Sequence, residues 1–532
     1  MDCNVTAIPY GEIGYFSKII VDYLQESPSI RPFYEHPLTV QGVSEAIASR
    51  KLFNTNRKLL VDVLQSQYTT QVTSDKVRRN IEALAEENTF TIVTAHQPNI
   101  FTGHLYFIYK ILHIIKLCTH LNKELPEHKF VPVFYMGSED ADLEELGHIF
   151  LGNEKIVWET NQKGAVGRMN TKGLDKIVER VAGELSVHPF GNELIALLKA
   201  CYLNAPDIQT ATFRFADELF KEYGLIILLP DNPVLKRSML SLFEDDLLNQ
   251  LPSSIVEETN KRLSQHYKVQ ANPREINLFY LKDDLRERIV KKGNEWKVVG
   301  QEIRFTEASL KEELRNHPER FSPNVILRGL FQETILPNIA FIGGGGETAY
   351  WLELKDLFKH YGVPYPLLVL RNSFLFIDKN VQLTIDKLGF PVHALFREER
   401  LLLEELVKRQ STRQLELNNE IEIANALYDD IQRVAYNIDK SLLKHVEALK
   451  VRATRQLHIL EKKMLKAEKR KYDDQQRQIQ AVKAHLFPNR SLQERIENFM
   501  PYYARYGPDF IETIYRYSPA LDQDFIILNQ HQ

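Results

Sequence analysis

The sequence predicts an α/β protein: a parallel sheet with helices between its strands, interrupted by two insertions and extended by a long coiled-coil helix. Three observations carry this reading. Five short apolar or β-branched runs alternate with helical stretches, which is the pattern of a parallel sheet. Each run ends in glycine or in polar and charged residues, where an open α/β sheet binds its ligand. From about Ser411 to His485 proline and glycine vanish, and apolar residues recur at spacings of three and four.

The first run is Thr91 to Thr94, stopped by Pro98, which cannot donate to a ladder. Thr102-Gly103-His104 then opens a helix whose apolar face is Leu105, Ile108, Ile111, Leu112 and Ile115. A strand, a polar loop and a helix in this order can point backbone N–H groups at a negative charge. Lys129 to Met136 is the second run and hands over to Gly137-Ser138-Glu139-Asp140-Ala141-Asp142. Gly224 to Pro230 is the third, Ile339 to Ile342 the fourth, ahead of Gly343 to Gly346, and Tyr365 to Arg371 the fifth. The seam of the long helix runs through Ala424, Leu427, Ile431, Val434, Ile438, Leu442, Val446, Leu449 and on to Ala467. As one helix it would be on the order of 100 Å long. It needs a partner, either the arm Glu398 to Val407 or a second subunit. The aromatic-rich tail after Leu486-Phe487-Pro488 is expected to pack back on the core.

Composition narrows the function. A chain of 532 residues with 44% hydrophobic content holds more than one domain, and a formal net charge of −4 gives no global attraction to nucleic acid or to a membrane. The basic stretch Lys440 to Lys471 reads as a solvated helix face. Cys3, Cys118 and Cys201 show neither metal spacing nor a paired framework, no apolar run spans a bilayer and no signal peptide is visible. A cytoplasmic protein without nucleic-acid or membrane partners is the expectation.

Five clusters are candidates for chemistry. His96, Gln97, Asn99, Thr102, Gly103, His104 and Tyr106 surround the first strand–helix junction, where histidine can stabilise developing charge; capping by Thr102 alone would also explain that helix start. Gly343, Gly344, Gly345 and Gly346 with Glu347 and Tyr350 offer a backbone able to form an anion-binding nest, although the pattern is neither a dinucleotide fingerprint nor a P-loop. Glu139, Asp140 and Asp142 can hold an amine, sugar hydroxyls or a metal, or merely favour a helix start; no histidine shares their spacing, so no metal is assigned. Arg371, Asn372 and Ser373 follow the last strand, where arginine suits a carboxylate, a phosphate or a structural ion pair. Phe487, Asn489 and Arg490, with Gln493, Arg495 and Asn498, form either a second pocket or a turn that docks the tail.

With these residues in view, the chain resembles the cysteine-adding BshC family of bacillithiol biosynthesis over nearly its whole length. The resemblance rests on His96-Gln97 with Thr102-Gly103-His104-Leu105-Tyr106, on Val131 to Phe134 running into Glu139-Asp140, and on Leu327-Arg328 and Ile335-Leu336-Pro337. It continues in Gly343 to Glu347 with Ala349-Tyr350-Trp351, in Leu486 to Arg495, and in Tyr506-Gly507-Pro508-Asp509. It implies a Rossmann-like core over 1–150, 223–239 and 323–397, connecting insertions over 151–222 and 240–322, a coiled coil over 398–485 used for homodimerisation, and a C-terminal segment over 486–532. It implies addition of cysteine to glucosaminyl-malate by amide formation. His96 and His104 would stabilise charge, Glu139, Asp140 or Glu347 would orient or deprotonate the amine, and Gly343 to Gly346 with Arg371 would bind malate carboxylates or a phosphate. The fold is similar to that of class I aminoacyl-tRNA synthetases and mycothiol cysteine ligases, which activate the amino acid with ATP through His-Ile-Gly-His and Lys-Met-Ser-Lys-Ser motifs. Thr102-Gly103-His104 stands where the first belongs, and the chain has no Lys-Met-Ser-Lys-Ser sequence. ATP or ADP is the cofactor the resemblance implies, with Phe487, Asn489, Arg490, Arg495 and Asn498 as candidates for a second nucleotide pocket. A ligase activating another acid, and a non-catalytic dimeric nucleotide-binding scaffold, are the competing readings.

Overall fold

Thr89–His96 (β1) is buried along its whole length, as a strand covered on both faces must be. Its two inner threonines are satisfied locally: Thr94 Oγ1 donates to Ile342 O at 2.7 Å and Thr91 Oγ1 to Asn338 Oδ1 at 3.3 Å. The computed structural model describes residues 1–69, 71–152 and 154–530. It divides into two compact units, the first formed by residues 1–376 with the chain from Ser491 onward, the second by residues 377–490.

In the first unit β1 is the middle strand of five. Lys129–Met136 (β2), Ile226–Leu228 (β3), Asn338–Gly343 (β4) and Leu367–Leu370 (β5) complete a sheet of order β5-β4-β1-β2-β3. All four pairings are parallel. The five runs read from the sequence are therefore these five strands. The chain moves outward from β1 through β2 to β3, then returns to the other side of β1 for β4 and β5. The connections leave β1 and β4 in opposite directions, and that reversal opens a crevice beyond their carboxyl ends.

Tyr106–Glu124 (α1) crosses from β1 to β2, burying Ile108, Ile111, Leu112 and Ile115. The first insertion is helical, with Leu174–Leu185, Gly191–Leu198 and Ile208–Phe220. The second carries helices between Leu240 and Leu263 and then a five-stranded antiparallel sheet from Leu278 to Pro323. Val325–Ile335 (α2) leads into β4, and Gly345–Trp351 (α3) leads out of it. The returning C-terminal segment ends in Asp524–Gln530, which pairs antiparallel with Cys3–Pro9, so the two ends of the chain share one sheet. Ile526 N also donates to Ser373 O at 3.0 Å.

The second unit corrects the single long helix. Asn418–Ile438 (α4) and Leu443–Lys469 (α5) form a hairpin, followed by Asp473–Leu486. Asp439 breaks the helix: its backbone is extended and its carboxylate accepts from Ser441 N at 2.8 Å, a local bond that competes with helix continuation. The hairpin is antiparallel, with Lys450 on Asp429 at 2.5 Å and Leu417 N on Glu461 Oε1 at 2.7 Å. The arm does fold here: Glu399–Gln410 buries Leu402, Leu403, Leu406 and Val407, and its Glu404 pairs with Lys469.

Candidate active site

The carboxyl ends of β1, β2 and β4 enclose a cavity of about 580 Å³. Of the residues singled out from sequence, it is lined by His96, Gln97, His104 and Tyr106, by Glu139 and Asp140, by Gly344, Gly345, Gly346, Glu347 and Tyr350, and by Arg371 and Arg495. Segments far apart in sequence thus deliver both histidines, three carboxylates and two guanidiniums to one space.

His104 is held from below. Its Nδ1 lies 3.1 Å from Ile496 O, so that nitrogen carries the proton and Nε2 keeps a lone pair. Burial pulls its pKa below the ordinary histidine value. His96 is 8% exposed, its Nε2 has no hydrogen-bond partner, and its pKa lies well below 6.5 through burial and then the charge of Lys110. Both rings are therefore neutral at pH 7.

Lys110 is the one buried lysine of the helix α1. Its Nζ donates to Ala95 O at 2.7 Å and to Glu347, whose Oε2 also accepts from Gly344 N at 2.9 Å. The glycines are consequently not a nest: none of Gly343 to Gly346 has positive φ, and Glu347 already takes the amide that would start one. Gly343 lies at the end of β4, where an added Cβ would meet the Phe341 ring at 2.9 Å.

Glu139 is committed as well. Lys236, fully buried, donates to it and to Glu319 O, and sits 3.7 Å from Asp231, which Arg168 clasps with two bonds of 2.7 and 2.8 Å. Burial raises the Glu139 pKa against the opposing pull of Lys236. Asp140 is less engaged, accepting from Gln97 Nε2 at 3.2 Å and from Asp142 N at 3.3 Å. Asp142 itself caps the turn Leu143–Leu146 and does not line the cavity.

Several candidates act through others. Phe101, Thr102 and Gly103 all have positive φ, and α1 begins only at Tyr106, so Thr102 is not its cap. Leu105 N is taken by Glu497 O at 2.7 Å, which spends an amide expected to face a ligand. The strained loop is pinned by Asn498, whose Nδ2 donates to Phe101 O and Gly103 O. Asn99 lies buried beneath it, and an added Cβ on Gly103 would sit 2.8 Å from Asn99 Cβ. Arg371 lies 4.9 Å from the centroid of the Tyr106 ring and pairs with buried Glu494 at 2.7 Å. Ser373 also bonds Glu494, and Asn372 bonds Ser518 and Pro519 O, so both are structural rather than cavity-lining.

The five residues assigned to a second pocket therefore do different work. Arg495 is at the main cavity and Asn498 under the strained loop, both in the first unit. Phe487, Asn489 and Arg490 belong to the second unit, where Phe487 is buried with Lys483 4.2 Å from its ring centroid, and Asn489 and Arg490 form an exposed turn of positive φ. Sequence reasoning missed Lys110, Lys236, Glu494, Arg286 and Arg328 as site residues. Lys110, set in the apolar run Tyr106 to Leu112, was a readable signal; Arg286, on a hairpin full of charges, offered none. No group of three or more His, Cys, Asp or Glu among the described residues is arranged to hold a metal, and no described helix is long and apolar enough to cross a membrane.

Comparison with known proteins gives a consistent result. The family "Bacillithiol biosynthesis BshC, N-terminal Rossmann-like domain" matches residues 1–372, and "Bacillithiol biosynthesis BshC, C-terminal coiled-coil domain" matches residues 374–530. Relatives carrying the name "Putative cysteine ligase BshC" are 39% identical in Flavobacterium johnsoniae, over 98% of this chain and 99% of that protein, and 39% identical in Flavobacterium psychrophilum, over 95% and 96%. One from Cytophaga hutchinsonii is 38% identical over 96% of both chains.

Proposed function

The chain belongs to the BshC family of bacillithiol biosynthesis, and on that premise we propose that it is a ligase joining the carboxyl of L-cysteine to the amine of glucosaminyl-malate. The observation that carries this reading is one cavity lined by both cationic and anionic side chains. Around Gly344 to Gly346 stand Arg328, Arg371 and Arg495, with the acids Glu347 and Glu494 already bonded to Lys110 and Arg371. That side suits an anion such as the malate carboxylates or a phosphate. The end of β2 brings Asp140 to the same cavity.

Amide formation from a free carboxylate in water needs an activated carboxyl. The guanidiniums fit a nucleoside triphosphate, which when bound would supply the leaving group that makes the cysteine carbonyl electrophilic. The chain's own groups do the rest. The glucosaminyl nitrogen attacks the carbonyl carbon, a C–N bond forms, and the leaving group departs with the electrons of its C–O bond. His104, with its proton fixed on Nδ1, takes the amine proton at Nε2 rather than stabilising negative charge as its sequence position suggested. His96 lines the same cavity as a neutral ring and can donate to the carbonyl oxygen.

The homodimer belongs to the same reading. Ile423, Leu427, Ile431, Val434 and Ile438 form one stripe on α4 and are 40–75% exposed. The spacing of four, four, three and four is that of a packing seam, and a second copy of this chain, presenting the same stripe, is the occupant we assign to it.

The test is mass spectrometry of full-length protein with cysteine and glucosaminyl-malate, with and without ATP. The expected result is a mass increase corresponding to cysteine joined with loss of water, formed only with ATP. Turnover of another acid in place of cysteine, seen as pyrophosphate or phosphate release, would overturn the substrate assignment.

A further inference from the structure

Arg286 lies on the strand Leu285–Lys292, in the small sheet of the second insertion, yet it lines the cavity at the end of the parallel sheet. Its guanidinium sits 4.0 Å from the centroid of the Phe279 ring, and its Nε donates to Ser322 Oγ at 3.2 Å. Those two contacts fix the plane of the group. They leave its terminal nitrogens without a protein partner among the described residues, and these are the atoms that grip a carboxylate two-pronged. Holding a partly buried cation in one orientation without a counter-ion is costly, so a ligand anion is the natural complement.

Asp140 lines the same cavity and is not bonded to Arg286. Burial lowers the Arg286 pKa, and the charges of Asp140 and Glu139 oppose that. Glu139 is spent on Lys236; Asp140 keeps accepting capacity. Two opposite charges that share a cavity without closing on each other match a ligand that carries both. The Arg328, Arg371 and Arg495 side differs, because its acids, Glu347 and Glu494, are already paired. Tyr135 and Pro230 line the same cavity.

We propose that Arg286 and Asp140 form an α-amino-acid subsite, in which Arg286 binds the α-carboxylate and Asp140 the α-ammonium. The identification of that amino acid as cysteine rests on the reading above; the zwitterion subsite does not.

The experiment is isothermal titration of the full-length chain, under reducing conditions, with L-cysteine, with cysteamine, which lacks the carboxylate, and with 3-mercaptopropionate, which lacks the ammonium. Wild type is expected to bind L-cysteine more tightly than either analogue. Arg286→Met should weaken L-cysteine and 3-mercaptopropionate by about tenfold to a hundredfold, the range for a lost charge-assisted bond, and leave cysteamine unchanged. Arg286→Lys should recover part of the loss. Asp140→Asn should weaken L-cysteine and cysteamine and leave 3-mercaptopropionate unchanged. A melting curve of each variant checks folding; should Arg286→Met not fold, Arg286→Lys and Asp140→Asn carry the same discrimination. Equal weakening of all three ligands by Arg286→Met, or no change in L-cysteine binding, overturns the subsite, as does a wild type that binds none of the twenty α-amino acids. Binding of a different amino acid with the same dependence on Arg286 and Asp140 supports the subsite and removes cysteine as its ligand.

Discussion

Replacing Asn498 with alanine removes both hydrogen bonds that hold the carbonyls of Phe101 and Gly103, and leaves them buried without a donor. The expected cost is about 2–3 kcal/mol of stability, read as a lower urea midpoint. Ligation should fall about tenfold or more, because the loop carries His104. Lys236→Met leaves Glu139 in the interior without its cation and should cost about 3–5 kcal/mol by the same measurement. His113 gives a pH test. It is fully buried, accepts from Asn372 N at Nδ1 and reaches Ala520 O from Nε2, so it is neutral, and burial pulls its pKa down to about 4. The unfolded chain protonates its histidine at about 6.5. Below that pH the unfolded state holds the extra proton, so the stabilisation present at pH 7 is lost as pH falls toward 4, by on the order of 3 kcal/mol. His113→Asn has no ring to titrate, so its stability deficit against wild type should shrink between pH 7 and pH 5; a constant deficit contradicts this account of His113. The polar residues near strand ends were legible in the sequence. Their division of labour was not, because it depends on partners hundreds of residues away: Glu494 for Arg371, Ile496 for His104, Lys236 for Glu139.

At the scale of elements, Glu494 to Asn498 act as one strap. Glu494 holds Arg371, Arg495 stands at the cavity, Ile496 O orients His104, Glu497 O takes Leu105 N, and Asn498 pins the strained loop. This explains why the stretch looked functional in the sequence, although as part of the first site rather than of a separate pocket. The seam over Leu427 to Ile438 was equally legible, whereas the turn at Asp439 was not, because without proline or glycine the only sign of it was an aspartate two residues before a serine. The exposed stripe makes a sharp prediction. Leu427→Glu with Ile431→Glu should convert a dimer to a monomer in sedimentation equilibrium and leave the melting temperature of the first unit unchanged. A wild-type chain that sediments as a monomer contradicts the assigned occupant.

At the scale of the molecule, the parallel sheet was readable because its strands are buried on both faces and so appear as continuous apolar runs. Strand order was not readable, since nothing in the runs themselves says that β4 returns to the far side of β1. The shared sheet of the two chain ends was also hidden, because Cys3–Pro9 and Asp524–Gln530 are more than 500 residues apart. Removing residues from Asp524 onward should lower the melting temperature and abolish ligation together, since Ile526 supports Ser373, two residues from Arg371.

The measurement that bears most directly on the central claim is a crystal structure of the protein with glucosaminyl-malate and cysteine. The account predicts both ligands in the cavity beyond β1 and β4, with the glucosaminyl nitrogen near His104 Nε2 and the malate carboxylates toward Arg328 and Arg495. Ligand density elsewhere on the chain, with this cavity empty under conditions in which product forms, would contradict it.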